Sequence, residues 1–272
     1  GSGRSWKIVF SKFLDIILVM ENNQWQSKET SMEIQIAVSK SNKYDSDESG
    51  DTLEFIERPN GGISVVLADA LNSGKNAKLI SSSVVHKVIN FLAEGIKDGV
   101  SARAVSDFLF TEHSGKISAY LDILSVDLQS ETIVLSRNNP TPVFVARTGR
   151  IECIGSENNP IGVSRSIKPS ITEIPLENGL TIVIYTDGIL SSGKAYGIGL
   201  DVCTLIESML DEQEPNSQTI ADTILAEAIR LDQGHPNDDM SVVVLRVFDV
   251  ETDNIRRMNV RLPIKRSGYT AG

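Results

Sequence analysis

Three aspartates in this chain stand where a carboxylate is hard to keep without a partner. Asp69 ends the apolar run ISVVLAD, Asp187 ends LTIVIYTD just before Gly188, and Asp238 precedes MSVVVLRV within Pro236-Asn237-Asp238-Asp239. A carboxylate at the end of a buried strand costs free energy unless it is paired, hydrogen-bonded or bound to a metal. No Lys or Arg adjoins any of the three, and their joint occurrence favours a shared cation. Any one of them alone would read as a turn or helix cap. Oxygen-only ligands suit hard divalent ions, so magnesium or manganese is expected rather than zinc or copper. Such an ion could lower the pKa of a bound water and so supply a nucleophile at neutral pH.

The elements that must hold these residues are read from periodicity. Residues 32–38 alternate Ile34, Ile36 and Val38, and residues 52–57 alternate Leu53 and Phe55. The polar run SKSNKYDSDESG at 39–50 between them reads as a surface loop, and Asn60-Gly61-Gly62 as a hairpin turn. Residues 63–68 form a continuous apolar run expected to be buried on both faces. Helical spacing follows at 73–94, through Leu79, Val84, Val85, Val88, Ile89 and Leu92, and again at 101–112. Short strands are expected at 118–127, 132–136, 142–147, 150–154, 170–175 and 180–186, helices at 200–212 and 217–232, and a last strand at 241–247. Helices in separate blocks beside hairpin-like strands indicate an α+β fold with largely antiparallel sheets, in one domain.

Six stretches carry a resemblance in order: SGDTLEF (49–55), VVLADALNSGKNA (65–77), NNPTPVFV (138–145), NPIGV (159–163), YTDGI (185–189) and NDDMSVVVLRV (237–247). From about residue 32 to 247 the chain resembles the protein phosphatase 2C superfamily, in its bacterial stage II sporulation protein E and sigma-factor-regulator branch. The resemblance implies a four-layer α-β-β-α sandwich with two mainly antiparallel sheets and a two-metal site for manganese or magnesium. It makes Asp69 the ligand bridging both ions, with the Ala70 carbonyl assisting one of them. Asp187 and Asp238 would complete the second ion's protein ligands. Asp51 would bind a metal or a metal-held water, and Asp239 would support Asp238. The activity implied is hydrolysis of phosphoserine or phosphothreonine on a regulatory protein of the anti-sigma-factor antagonist class. The other readings are a pseudophosphatase that binds a phosphoprotein without turnover, and an interaction module whose acidic cluster is incidental. Ala70-Leu71-Asn72-Ser73-Gly74 replaces the family's Gly-x-Gly-His-Gly, and Asn138 stands where His is common.

A net charge of −10 argues against a duplex nucleic-acid partner. Cys153 and Cys203 lie too far apart in sequence for a short metal motif and read as reduced thiols of a cytoplasmic protein. Lys75, at a helix start, is a candidate phosphate contact, and His235 a candidate only through its nearness to Asp238. Residues 1–3 read as a cloning remnant. Residues 6–20 fall short of the ~20 needed to span a bilayer. They are expected to form an amphipathic helix, packed on its own domain or on a second copy of the chain as a homodimer. The domain boundaries expected are 1–31, 32–248 for the catalytic domain, and 249–272 for a basic tail containing Arg256, Arg257, Arg261, Lys265 and Arg266.

Overall fold

A computed structural model describes residues 31–71, 76–155, 157–212, 214–250 and 255–263. The expected N-terminal helix, Lys75 and most of the altered loop after Ala70 lie outside the described residues. Residues Glu33–Phe248 form one compact unit. Residues 255–263 carry no regular structure and are exposed.

Two five-stranded antiparallel sheets make up the centre of that unit. The first has the order β1 (Ser31–Ser41), β10 (Met240–Val250), β9 (Thr181–Tyr185), β6 (Val143–Arg147), β7 (Arg150–Ile154). The second has the order β2 (Asp51–Glu57), β3 (Ile63–Leu71), β4 (Ser118–Asp127), β5 (Thr132–Asn138), β8 (Ser170–Pro175). Between the sheets lie Val65, Leu67, Leu124, Leu135, Ile182, Ile184, Val243 and Leu245, the inward positions of a period-two pattern. Outside the second sheet, Val66, Ala68, Leu121 and Ile123 pack under α1 (Ala77–Ala93) and α2 (Asp98–His113). Outside the first, Val183, Tyr185, Val242 and Val244 pack under α4 (Val202–Glu212) and α5 (Ser217–Leu231). The result is the four-layer α-β-β-α sandwich. The run from Val65 to Ala68 is buried on both faces because β3 is an inner strand with helices on one side and a sheet on the other.

The helices form for ordinary reasons. In α1, Val84, Val85, Val88 and Leu92 recur on one face and are all buried. Leu79, expected in that stripe, is instead 70% exposed at the first turn. Helix α5 starts on Asn216, whose side-chain oxygen accepts from the Thr219 amide at 2.8 Å. Among the described residues no helix is long and apolar enough to cross a membrane.

Candidate functional site

The site grows out of the alternation that builds the inter-sheet core. Leu53, Leu67 and Leu124 face the interior from three adjacent strands. An even number of residues along the same strands, that face carries Asp51, Asp69, Asp122 and Tyr120. The register sets Asp51 opposite Asp69 and Asp69 opposite Tyr120, so the three lie in one row at the end of the sandwich. From the other sheet, Ser241 and Thr186 come in beyond Val243 and Ile184. Ser241 Oγ donates to Asp51 Oδ2 at 2.6 Å, and Thr186 Oγ1 donates to the same oxygen at 3.1 Å. The Ser241 amide donates in turn to Thr186 Oγ1 at 2.9 Å. Asp51, 1% exposed, therefore fastens one sheet to the other at this end.

Asp187 does not end a strand as the sequence reading had it. It opens a five-residue helix, α3 (Asp187–Ser191), directly after Thr186. Asp69 likewise lies within β3, two residues before its end. Gly188 is needed because its backbone presses on the loop that carries Asp238. A Cβ there would sit 2.0 Å from the Asp239 carbonyl oxygen and 3.4 Å from the Asp238 Cβ. That loop is fixed on two sides. The Asp239 carboxylate accepts from the Gly50 amide at 2.6 Å and the Lys43 amide at 2.9 Å, while its own amide donates to Asp238 Oδ1 at 2.9 Å. Buried Asp232 accepts from the Gly193 amide at 2.7 Å and the Asn237 amide at 3.0 Å. His235 is exposed, with its ring edge-on to Tyr44 at 4.2 Å between centroids, and the Tyr44 amide donates to the Pro236 carbonyl. That is a loop-to-loop contact, which accounts for His235 without chemistry.

Electrostatics separates the carboxylates. Asp69 is pushed up to about 9 by burial and then by the charges of Asp51, Asp187 and Asp238, and it shares its proton with Asp187. Asp187 is also raised, by burial and by Asp238, with Asp69, the Gly188 amide and Lys194 acting against the shift. Asp51 is raised by burial to only about 6, because the Ser241 hydroxyl and Lys40 stabilise its charge. Lys40 and Lys78 both donate to the Asp51 carbonyl, at 3.0 and 3.1 Å, and Lys78 also to Thr52 Oγ1 at 2.9 Å. Burial lowers Lys40, and the nearby Asp51 carboxylate counteracts the loss. Asp51 thus has hydroxyl and lysine partners, while Asp69 and Asp187 share a proton and both feel the charge of Asp238.

Two carboxylates held up in pKa, Asp69 and Asp187, with Asp238 beside them and oxygen as the only donor type, fit a hard divalent cation. Among the described residues no three acidic, His or Cys side chains close tightly around one point. That looser spacing still fits magnesium, which takes one or two protein carboxylates and keeps several waters. Ala70 follows Asp69 in β3, opposite Ala119.

Two of the six sequence stretches turn out to hold loops. Buried Arg137 donates from Nε to Asp122 Oδ1 at 2.8 Å and from Nη2 to the Thr141 carbonyl, and Asn139 donates to Asp122 Oδ2 at 2.6 Å. Asn138 Nδ2 reaches the Asn159 carbonyl at 3.2 Å. Ile161 exchanges both backbone hydrogen bonds with Ala119, and Gly162 takes φ +88° where a Cβ would lie 2.7 Å from the Ile117 carbonyl oxygen. The sequence reading missed Tyr120, Thr186, Ser241, Lys40, Lys78 and Asp232. For Thr186 and Ser241 the signal was adjacency to Asp187 and a place at the start of the last strand. For Tyr120 it was the β3–β4 register, which spacing alone does not give.

The family model described as Stage II sporulation protein E (SpoIIE) matches residues 59–248. The stage II sporulation protein E of Priestia megaterium is 24% identical over 200 residues, covering 73% of this chain and 34% of that protein. The chain therefore spans about a third of the length of that relative. A solved structure described as the PP2C phosphatase domain and a fragment of the regulatory domain of SpoIIE from Bacillus subtilis superposes with a TM-score of 0.71. It is 23% identical and covers 82% of this chain and 65% of that one. The catalytic domain of the serine/threonine protein phosphatase PstP, solved with two manganese ions, has a TM-score of 0.62 at 15% identity, covering 80% of this chain and 100% of that one. The sandwich is thus the PP2C phosphatase fold, and with more than half its length matched by the family model, the chain belongs to the stage II sporulation protein E family.

Proposed function

We propose that this chain is a metal-dependent protein serine/threonine phosphatase whose divalent ions, manganese or magnesium, are held by Asp69, Asp187 and Asp238 with help from the Ala70 carbonyl. The observation that carries the reading is the group of carboxylates gathered at the end of the sandwich, where Asp238 raises both Asp69 and Asp187 and Lys194 offsets only part of the Asp187 shift. Family membership supports it. When bound, the ions would supply a water of lowered pKa and neutralise charge on the phosphoryl oxygens.

The remaining work falls to the protein. Asp51 Oδ2 accepts from Ser241 and Thr186, which commits one carboxylate oxygen to the other sheet, while Lys40 and Lys78 hold the main-chain carbonyl. Asp51 thereby ties the sheets together so that Asp69 and Asp187 meet. Asp239 holds Asp238 against the loop that leads to Asp51. Gly188 lets Asp187 approach the loop that carries Asp238. The substrate class is phosphoserine or phosphothreonine on a regulatory protein, of the anti-sigma-factor antagonist kind, in the cytoplasm.

The test is manganese-dependent hydrolysis of p-nitrophenyl phosphate and of a phosphoserine peptide by wild type and Asp69→Ala. Loss of turnover in the variant is expected, with metal binding followed by calorimetry. Equal rates in the two proteins would refute the assignment, and metal binding without turnover in wild type would leave a phosphoprotein-binding pseudophosphatase.

A further inference from the structure

We infer that Tyr120 is a substrate-contacting residue of this site, its hydroxyl donating a hydrogen bond to the ester oxygen that leaves phosphorus. The inference rests on the phosphatase reading and adds to it a group on the leaving side.

The backbone fixes where the residue stands. Tyr120 is directly opposite Asp69 in the β3–β4 ladder, so their Cβ atoms are about 4.5–5.5 Å apart and project from the same face. Along β4 that face carries Leu124 in the core and Asp122 paired with Arg137, and then Tyr120, half-buried, near the strand's open end. A tyrosine in such a place ordinarily finds a partner for its hydroxyl. Among the described residues Tyr120 has none. Its side chain projects from the face that carries Asp69, and a phenol is a hydrogen-bond donor at neutral pH.

Among the described residues, the donors around Asp51 are already committed. Lys40 and Lys78 hold the Asp51 carbonyl, and Thr186 and Ser241 hold its carboxylate. The carboxylates themselves only accept when ionised. A phosphate ester that loses its alcohol develops negative charge on the leaving oxygen. An oriented donor in a half-dehydrated site stabilises such charge far better than bulk water does. In the overall step, water's oxygen forms a bond to phosphorus as the phosphorus–ester oxygen bond breaks. Water also furnishes the proton that ends on the alcohol, and Tyr120 keeps its own.

The role predicts a dependence on the leaving group that a packing role would not produce. p-Nitrophenolate spreads its charge into the ring and needs little help, whereas phenolate needs more. The experiment compares wild type and Tyr120→Phe, which retains the ring, on p-nitrophenyl phosphate and phenyl phosphate at saturating manganese. The expected result is a loss in kcat/KM on phenyl phosphate on the order of 10²-fold, with p-nitrophenyl phosphate changed far less. An equal loss on both substrates, or no loss on either, would overturn the inference while leaving the phosphatase reading intact. If wild type hydrolyses neither ester, the phosphatase reading fails and this inference with it.

Discussion

Gly188→Ala puts the geometry of the site under direct strain. The added Cβ would sit 2.0 Å from the Asp239 carbonyl oxygen and 3.0 Å from its carbon. Ordinary packing brings such atoms no nearer than about 3 Å, so the two backbones must separate by about 1 Å. The backbone at Gly188 continues Asp187, and Asp239 continues Asp238, so the separation falls between two of the proposed ligands. Overpacking of this kind costs about 1–3 kcal/mol of stability, and replacing a helical glycine returns about 0.5–1 kcal/mol of it. The net loss of stability is therefore modest. Activity answers to placement more steeply: a 1 Å displacement at a reacting centre can cost about 10²-fold in rate. The variant should remain folded by circular dichroism and lose two orders of magnitude in manganese-dependent hydrolysis, with half-saturation moved to higher manganese. Gly199→Ala is the control, since a Cβ there meets nothing within 4 Å. Wild-type turnover and wild-type manganese dependence in Gly188→Ala would show that Asp187 and Asp238 do not act on a common centre.

Asp122→Ala leaves Arg137 charged and buried without its carboxylate, and should cost about 3–5 kcal/mol in urea unfolding, without a selective effect on manganese half-saturation. Asp239→Ala frees the Gly50 and Lys43 amides. Each lost charge-assisted hydrogen bond is worth about 1.5–3 kcal/mol, so manganese half-saturation should rise by an order of magnitude or more, read from activity against manganese. In the metal-free protein Asp51, Asp69 and Asp187 all have folded pKa values above the usual carboxylate value. Their contribution to stability is complete below about pH 4 and is lost as pH rises through about 6 for Asp51 and about 9 for Asp69. Thermal melts in chelator should therefore fall between about pH 5 and pH 8, and the gain on adding manganese should be larger at the higher pH, where the ligands have already given up their protons. A metal-free melt that rises across that range would contradict the coupling.

Much of the fold was legible because burial leaves a periodic trace. Val65 to Ala68 reads as doubly buried, and is, because an inner strand between a sheet and two helices has no polar face to show. The β4 and β8 limits matched the expected residues, since turn residues bound them on both sides. Helix α1 is described from Ala77, the expected start at residue 73 lying outside the described residues, and β1 runs on to Ser41 through residues read as loop. Periodicity does not register an exposed Leu79, nor a polar strand end held by its neighbour. At the site, the strand-end aspartates were visible because an acid beside an apolar run is anomalous. Tyr120, Thr186 and Ser241 were not, because each is an ordinary residue for a strand or its end. Their roles come from register and from which sheet faces which, and those are properties of pairs of strands rather than of any one stretch.

The same alternation explains why the acids gather at this end of the sandwich. The inward face of each sheet is closed off by the other sheet over most of its length, and only hydrocarbon can occupy it without loss. At the open end the inward face is half-dehydrated yet within reach of water, so a carboxylate there is raised in pKa without being driven out. Asp69 at about 9 and Asp51 at about 6 lie in one row, opposite each other, and differ because only Asp51 has hydroxyls and lysines around it. If the chain merely needed a polar end, partners for Asp69 like those of Asp51 would have served. Leaving Asp69, Asp187 and Asp238 to repel one another is a standing cost to the metal-free fold, and a cation that binds only the folded state removes it. The charge that weakens the fold without metal is thus the same charge that would make the site selective for divalent ions over water.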